Sequence, residues 1–156
     1  MLKLSTKGRY GVRAMFELAS AYGEGPMLMG AIAQKQGLSR KYLHALLTAL
    51  KKSGLVKSTR GARGGYTLAK APREILLSEI IEALEGPLAI VHCVRGKEKC
   101  PRSPNCSVQP LWQTLNSALG QILEQFTLAD LLDNNASLAH VALKIEVQRA
   151  DHGPRA

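Results

Sequence analysis

The stretch "SRKYLHALLTALKKSGLVKSTRGARGGYTLAK", residues 39–70, carries a helix signal and a hairpin signal in immediate succession. In its first half, apolar residues recur every three or four positions, which predicts a helix with one buried face. Ser39 is a typical N-cap, and Gly54 is a typical helix terminator. The apolar positions of this helix are Tyr42, Leu43, Leu46, Leu47 and Leu50.

The second half of this stretch predicts a β-hairpin. Residues 55–58 alternate in character, a glycine-rich tip follows, and residues 66–68 return as a second strand. Arg60 and Arg63 lie at the predicted tip. The hairpin therefore presents two guanidinium groups at its end.

Two helical segments precede this stretch. Residues 5–23 show apolar residues at helical spacing, and residues 30–37 form a shorter segment that Gly37 ends. Because only the link 37–39 separates the shorter segment from the helix that follows, the pair predicts a helix-turn-helix. A helix-turn-helix followed at once by a hairpin is a winged helix.

Beyond the hairpin, residues 77–87 predict a short helix with Ser78 as its N-cap, and residues 108–126 predict a long helix. The apolar stripe of the long helix recurs close to every 3.5 residues, which favours pairing with a second copy of the chain. Packing against the first helix is the alternative. Thr127, with Asp130 three residues later, predicts the start of another short helix. The stripe consists of Val108, Leu111, Trp112, Leu115, Leu119, Ile122 and Phe126.

Positive charge is concentrated in the N-terminal half. Residues 1–75 contain fourteen Lys and Arg residues against three acids, whereas the rest of the chain contains seven against nine. This asymmetry favours a nucleic acid ahead of a membrane as the partner, because no basic helix with a strongly apolar face accompanies it. A solvated basic surface is the alternative. The sequence shows neither a membrane-spanning stretch nor a secretory signal, so we expect a cytoplasmic protein.

The winged helix gives these basic residues a role. The start of the second helix of a helix-turn-helix enters the major groove of DNA, and arginines of a wing suit the minor groove or phosphates. His44 is equally well explained as a surface histidine, and we expect Lys51, Lys52 and Lys57 to be solvated. The residues predicted to contact DNA are Ser39, Arg40, Lys41, His44, Arg60, Gly61 and Arg63.

All three cysteines, Cys93, Cys100 and Cys106, lie in the loop "HCVRGKEKCPRSPNC", residues 92–106. Their odd number argues against a disulfide framework and leaves metal binding, redox chemistry or inert burial. The spacing lacks the close cysteine pairs of most zinc sites, whereas long spacers with Gly and Pro suit thiolate ligation of an iron–sulfur cluster. Basic neighbours in the loop would favour the thiolate form.

Several segments together resemble the IscR-type family of bacterial winged-helix iron–sulfur-cluster transcription regulators. They are "LSTKGRYGVRAM" at 4–15, the stretch 37–70, the cysteine loop, and "LWQTLNSAL" at 111–119. The resemblance implies a homodimer joined by the long helix, which binds a palindromic operator in double-stranded DNA. It also implies a cluster held by the three cysteines, and it assigns DNA reading to Ser39, Arg40, Lys41, His44, Arg60 and Gly61.

The chain departs from the family pattern at the fourth cluster ligand. Close members have a histidine three residues after the last cysteine, where this chain has Gln109, and others use an acid of the first helix, where it has Arg9. His92, next to Cys93, is the first candidate for the missing ligand. The spacing does not distinguish a 2Fe–2S from a 4Fe–4S cluster. The other candidates are Glu98, Ser107, Gln109 itself and a solvent molecule.

The predicted fold class is mainly α with a small β-hairpin wing, a winged helix-turn-helix plus a long dimerisation helix. We expect a DNA-binding domain at 1–86, a cluster-binding loop at 87–107, the dimerisation helix and a short following helix at 108–133, and a partly disordered tail at 134–156. No catalytic constellation is present, so we expect a dimeric regulator and not an enzyme. The alternatives are a thiol-redox-sensing repressor without a cluster and a zinc-stabilised nucleic-acid-binding protein. The dimer contacts that we expect are Leu111, Trp112, Leu115, Leu119 and Ile122.

Overall fold

The computed structural model of the chain describes residues 5–61, 63–94 and 105–133. It is mainly helical with one two-stranded antiparallel hairpin, which confirms the predicted fold class. Within the described residues, no helix has both the length and the apolar character needed to span a bilayer. The elements are α1 (Thr6–Ser20), α2 (Met29–Gln36), α3 (Arg40–Lys52), β1 (Val56–Thr59), β2 (Gly65–Leu68), α4 (Leu77–Glu85) and α5 (Gln109–Gln125), with 3₁₀ turns at Pro72–Glu74 and His92–Val94.

The leucine face of α3 forms the centre of the core. Each of its four leucines is at most 1% exposed, and they pack with buried residues of α1, α2 and α4. Burying such a side chain contributes about 1.5–3 kcal/mol, so this face alone commits α3 to one orientation. The four leucines are Leu43, Leu46, Leu47 and Leu50.

The link between α2 and α3 forms as the sequence predicts. Gly37 has φ +62°, a left-handed conformation that favours glycine, and its amide donates to the carbonyl of Gln34 at 3.3 Å. Ser39 then caps α3, because its Oγ accepts a hydrogen bond from the amide of Tyr42 at 3.2 Å. The predicted helix-turn-helix is confirmed.

The base of the hairpin is buried in the core, and its β2 edge pairs with a further segment of the chain. Its register pairs Val56 with Leu68 and Thr59 with Gly65, and both Val56 and Leu68 are buried in the core. Met27, in the loop before α2, pairs with Tyr66 through two backbone hydrogen bonds of 2.9 Å. The outer edge of β2 is therefore covered by a third short extended segment.

The N-terminus of α4 differs from the prediction. The helix begins at Leu77, so Ser78 lies inside it and is not the cap. The carboxylate of Glu79 acts instead, accepting from the amide of Leu76 at 2.9 Å and from Nζ of Lys70 at 3.0 Å. Burial alone would raise the pKa of Glu79, but these two hydrogen bonds and the charge of Lys70 outweigh it and lower that pKa.

The end of α4 is joined to the start of α1. The carboxylate of Glu85 accepts hydrogen bonds from the hydroxyl of Ser5 and, at 2.9 Å, from the amide of Gly8. Oγ of Ser5 also accepts from the amide of Lys7 at 3.0 Å. An acid at a helix N-terminus complements the helix dipole, so Glu85 stabilises α1 while fixing the point where the chain leaves α4 for the cysteine loop.

After α5 the chain returns to the core beneath α4. Leu77 donates from its amide to the carbonyl of Phe126 at 2.9 Å, and Leu128 donates to the carbonyl of Ile75 at 2.8 Å. Leu128 is fully buried and Phe126 is 8% exposed. The C-terminal end of α5 is thus fastened to the winged-helix core by backbone pairing and by burial.

Two details of this region correct the sequence-based expectations. Phe126 belongs to the core and not to the exposed stripe of the long helix, because α5 ends at Gln125. The short helix expected after Thr127 does not form. Thr127 and Asp130 do make the reciprocal hydrogen bonds of a cap, at 2.7 Å and 3.3 Å, but residues 128–132 form turns. The tail at 134–156 lies outside the described residues.

Gly65 provides a test of how the wing is attached. A Cβ at this position would lie 2.5 Å from the carbonyl oxygen of Met27, inside the backbone pairing of Met27 with Tyr66. We expect Gly65→Ala to lower the free energy of unfolding by about 1–3 kcal/mol, because backbone atoms have to move apart. Urea denaturation followed by circular dichroism measures the change.

Gly120 in α5 supplies the matched control. A Cβ there would meet only Cδ2 of Leu88, at an ordinary contact distance of 3.9 Å. Gly120→Ala should therefore raise the free energy of unfolding by about 0.5–1 kcal/mol, since alanine is the better helix former. Equal destabilisation by both substitutions would contradict the close approach at Gly65.

Candidate nucleic-acid interface and thiol site

A groove of about 620 Å³ separates α3 from the hairpin. Its basic lining residues are Lys51 and Arg60, His44 lies on the α3 side, and none of its described lining residues is acidic. Gly61, with φ +112°, forms the end of the groove at the hairpin tip. The structure thus places a basic, open channel between the helix and the wing.

The α3 wall of the groove consists of residues at helical spacing. His44, Thr48 and Lys51 lie on one exposed face of α3, beside the face of the buried leucines. The hydroxyl of Thr48 donates to the carbonyl of His44 at 2.7 Å, and Nζ of Lys51 donates to Oγ of Ser58 on β1 at 2.5 Å. Lys51 is exposed, as expected of a solvated residue, but its contact with Ser58 and the place of Thr48 in the groove are not among the sequence-based expectations. The spacing from His44 was a signal that could have found Thr48 and Lys51.

All seven residues predicted to contact DNA are exposed. His44, Arg60 and Gly61 line the groove, whereas Ser39, Lys41 and Arg63 lie outside its described lining. The guanidinium of Arg40 lies against α2, with Nη2 3.1 Å from the position that a Cβ of Gly30 would occupy. The seven predicted residues are therefore all exposed, but only three of them border the groove.

The start of α3 is held against α1 by aromatic contacts. The rings of Tyr10 and Tyr42 meet edge to face with centroids 6.1 Å apart. The guanidinium of Arg13 lies over the ring of Tyr10 at 5.4 Å, and its Nε donates to Oε1 of Gln36 at 2.5 Å. These contacts connect α1, α2 and α3 near the exposed face and limit rotation of α3.

Two of the three cysteines lie beside α5. Cys93 is in the 3₁₀ turn His92–Val94, and Cys106 is in the turn before α5, where its carbonyl accepts from the amide of Gln109 at 3.1 Å. Both are half-buried free thiols. Oδ1 of Asn116 accepts from the amide of Ile90 at 3.1 Å, which fastens the segment that leads to Cys93 onto α5.

The predicted cluster ligands do not all fall within the described residues, because Cys100 and Glu98 lie outside them. Within residues 5–61, 63–94 and 105–133, no three His, Cys, Asp or Glu side chains come together to hold a metal ion. His92 is exposed and adjacent to Cys93. The described donors are two half-buried free thiols at opposite ends of one loop, and their chemistry fits the sulfur ligation that an iron–sulfur cluster requires.

The apolar positions of α5 fall on two neighbouring faces. Trp112 and Leu119 are half-buried on the side that carries Asn116, which packs on α4 and the 3₁₀ turn. A second set recurs at spacings of three and four residues, and its members Val108, Leu111 and Leu115 are 49%, 52% and 45% exposed. The second face is an apolar stripe whose members up to Ala118 are exposed and whose last member, Ile122, is half-buried. This stripe consists of Val108, Leu111, Leu115, Ala118 and Ile122.

Comparison with known proteins identifies the family. Residues 4–134 match the model of the Rrf2 family, described as an iron-dependent transcriptional regulator. The chain belongs to the Rrf2 family. Rrf2 proteins include the IscR regulators, so the resemblance drawn from the sequence motifs is confirmed.

Two relatives and one solved structure show how this Rrf2 chain relates to others. It is 43% identical over 130 residues to the HTH-type transcriptional regulator CymR of Bacillus subtilis, covering 83% of this chain and 89% of CymR. It is 38% identical over 154 residues to IscR of Erwinia tasmaniensis, covering 97% of this chain and 93% of that one. The structure of T. potens IscR matches with a TM-score of 0.70 at 44% identity, covering 85% and 88% of the two chains. These relatives are named as transcriptional regulators and not as enzymes, and transcriptional regulation is the function of this chain.

Proposed function

We propose that this Rrf2-family regulator binds an operator in double-stranded DNA as a homodimer, and that an iron–sulfur cluster on Cys93, Cys100 and Cys106 modulates the binding. The observation that carries the DNA interface is the groove between α3 and the wing, with Lys51 and Arg60 in its lining and no described acid. Phosphates attract such a surface, and base edges in the adjoining grooves of DNA are within reach of its side chains.

The geometry suggests a division of roles. The exposed start of α3, with Ser39, Lys41 and His44, would enter the major groove, while the tip with Arg60 and Gly61 would reach the minor groove. One DNA strand would then run between helix and wing. Although Oγ of Ser39 already accepts from an α3 amide, its hydroxyl proton remains available to donate to DNA.

Arg60 is the residue whose loss should be most informative. We expect Arg60→Ala to weaken operator binding by about 1–3 kcal/mol and to reduce the salt dependence of the affinity by about one released counterion. Fluorescence anisotropy at several salt concentrations, on a duplex selected in vitro with the wild-type protein, measures both quantities.

Arg73 provides a control of the same charge. It is exposed in the 3₁₀ turn Pro72–Glu74 and is absent from the groove lining. Arg73→Ala should leave the salt dependence close to that of the wild type. A wild-type affinity that does not change with salt would contradict an interface built on phosphate contacts.

The exposed stripe of α5 supports the homodimer. Contiguous exposed apolar side chains usually mark an interaction surface, and a 3-4-3-4 spacing is the pattern by which two helices pair. The stripe is self-complementary in the sense that a two-fold axis requires, since the same leucines can face each other across it. A dimer of this kind would place two copies of α3 on two half-sites, which a palindromic operator provides.

Charged substitutions in the stripe test the dimer. Leu111→Glu combined with Leu115→Glu should give monomers in sedimentation velocity, because paired carboxylates cannot be desolvated in such an interface. Ser117→Glu lies on the opposite, exposed side of α5 and should remain dimeric. A double variant that sediments as a dimer would move the interface to another surface.

For the thiol site, the proposed protein ligands are Cys93, Cys100 and Cys106, with His92 as the fourth. A bound iron–sulfur cluster supplies a group that is sensitive to oxidation and to iron supply.

The chain itself offers a route from this site to DNA. Cys106 lies immediately before α5, and Phe126 and Leu128, just after α5, are buried in the winged-helix core. A helix of 17 residues is rigid over about 25 Å, so a change at its start alters how its far end and its stripe are placed. The two copies of α3 would then be brought nearer to, or farther from, the spacing of the half-sites.

Anaerobic purification decides whether the thiols hold a cluster. We expect the wild-type protein to be coloured and to contain iron and sulfide in stoichiometric amounts. Cys106→Ser should lose the colour, the iron and the sulfide. Asn105→Ala, which changes the exposed neighbour of Cys106, should keep the colour. The form of the spectrum also distinguishes a 2Fe–2S from a 4Fe–4S cluster.

The same preparation separates the alternatives. The structure of CymR, the global cysteine regulator of B. subtilis, matches at 44% identity with a TM-score of 0.70. The free thiols of Cys93 and Cys106 suit reversible oxidation as well as ligation. Colourless, iron-free protein even after reconstitution would contradict the cluster. Reversible loss of free thiols would then support a thiol-redox repressor, and bound zinc without sulfide would support a structural metal site.

A further inference from the structure

The wing is held to the rest of the molecule on both of its flanks. On the β2 side, the backbone of Met27 pairs with that of Tyr66. On the β1 side, Nζ of Lys51 donates to Oγ of Ser58 at 2.5 Å. A two-stranded hairpin has little stability of its own, so both attachments bear on where its tip lies.

The Lys51–Ser58 contact lies inside the proposed DNA groove. Both residues line it, together with Thr48 on α3 and Arg60 toward the tip. Ser58 is only two residues before Arg60, so a shift of β1 at Ser58 is passed on to the arginine. Lys51 is in the last turn of α3, whose buried leucines keep its backbone in place. The contact therefore connects the buried helix α3 to the strand that leads to the tip.

We propose that Lys51 is a positioning residue for the wing, and that its hydrogen bond to Ser58 sets the distance between α3 and Arg60. This inference rests on the proposed DNA interface. In it, Lys51 acts on DNA affinity through the placement of Arg60 and not only through its own charge. A side-chain contact between α3 and β1 then sets the width of the groove in which one DNA strand would lie.

A double-mutant cycle tests the contact in DNA binding. With a duplex selected in vitro by the wild-type protein, Ser58→Ala should weaken binding about threefold to tenfold, the effect of losing one hydrogen bond. The same substitution should have little effect in a Lys51→Met background, and little effect in an Arg60→Ala background. Ser58→Thr, which keeps the hydroxyl, should restore most of the affinity.

Lys52 supplies the matched control. It is adjacent, exposed and of the same charge, and it makes no side-chain hydrogen bond with any residue in the described ranges. In a Lys52→Met background, Ser58→Ala should weaken binding by the full threefold to tenfold. If Ser58→Ala costs the same factor in all three backgrounds, or costs nothing in the wild type, the positioning role is wrong.

Hydrogen exchange of the free protein gives an independent readout. Amides of residues 56–59 should exchange faster in Ser58→Ala and in Lys51→Met than in Lys52→Met, with the melting temperature nearly unchanged. Equal protection in all variants would overturn the proposal without reference to DNA. If the wild-type protein selects no duplex, the proposed DNA binding fails, and the exchange data still decide whether Lys51 holds the wing.

Discussion

The burial of one face of α3 is the constraint on which the rest of the structure depends. Four leucines of this helix are almost completely removed from solvent, in contact with apolar residues of α1, α2 and α4. Because one face of α3 is buried in the core, its remaining faces are left to solvent, and Lys41, His44 and Lys51 are exposed as a consequence of packing. The base of the wing joins the same core through Val56 and Leu68, so helix and wing share one support.

The long helix α5 gives the molecule a second organising element. Its first turn follows Cys106, its middle carries the Asn116 contact to the segment before Cys93, and its end leads into the buried Leu128. The thiol site and the winged-helix core are therefore joined by one rigid helix, α5. The exposed stripe runs along the same helix, which places the proposed dimer contact between the proposed sensor and the DNA-binding core.

Local signals predicted much of this fold, and long-range contacts account for what they missed. The leucine spacing of α3, the cap at Ser39 and the turn at Gly37 depend on neighbours in sequence, and all three are confirmed. The return of Phe126 and Leu128 to the core pairs segments about 50 residues apart, for which the sequence carries no periodic signal. Likewise, the sequence predicts a single apolar stripe along α5. Which of these apolar residues pack against the molecule and which are exposed depends on where α4 lies. At the groove, exposure of the basic residues was predictable, whereas the Lys51–Ser58 contact required the relative placement of α3 and β1.

The most direct test of the account is a hydroxyl-radical footprint of the wild-type protein on its selected duplex, compared with that of Arg60→Ala. If α3 and the wing contact DNA as one unit in a dimer, the footprint will show two dyad-related protected regions centred about one helical turn, or a multiple of it, apart. Arg60→Ala will lose protection only at the minor-groove positions that flank each region. A single region of protection would contradict DNA binding as a dimer, and a footprint unchanged by Arg60→Ala would contradict DNA contact by the wing.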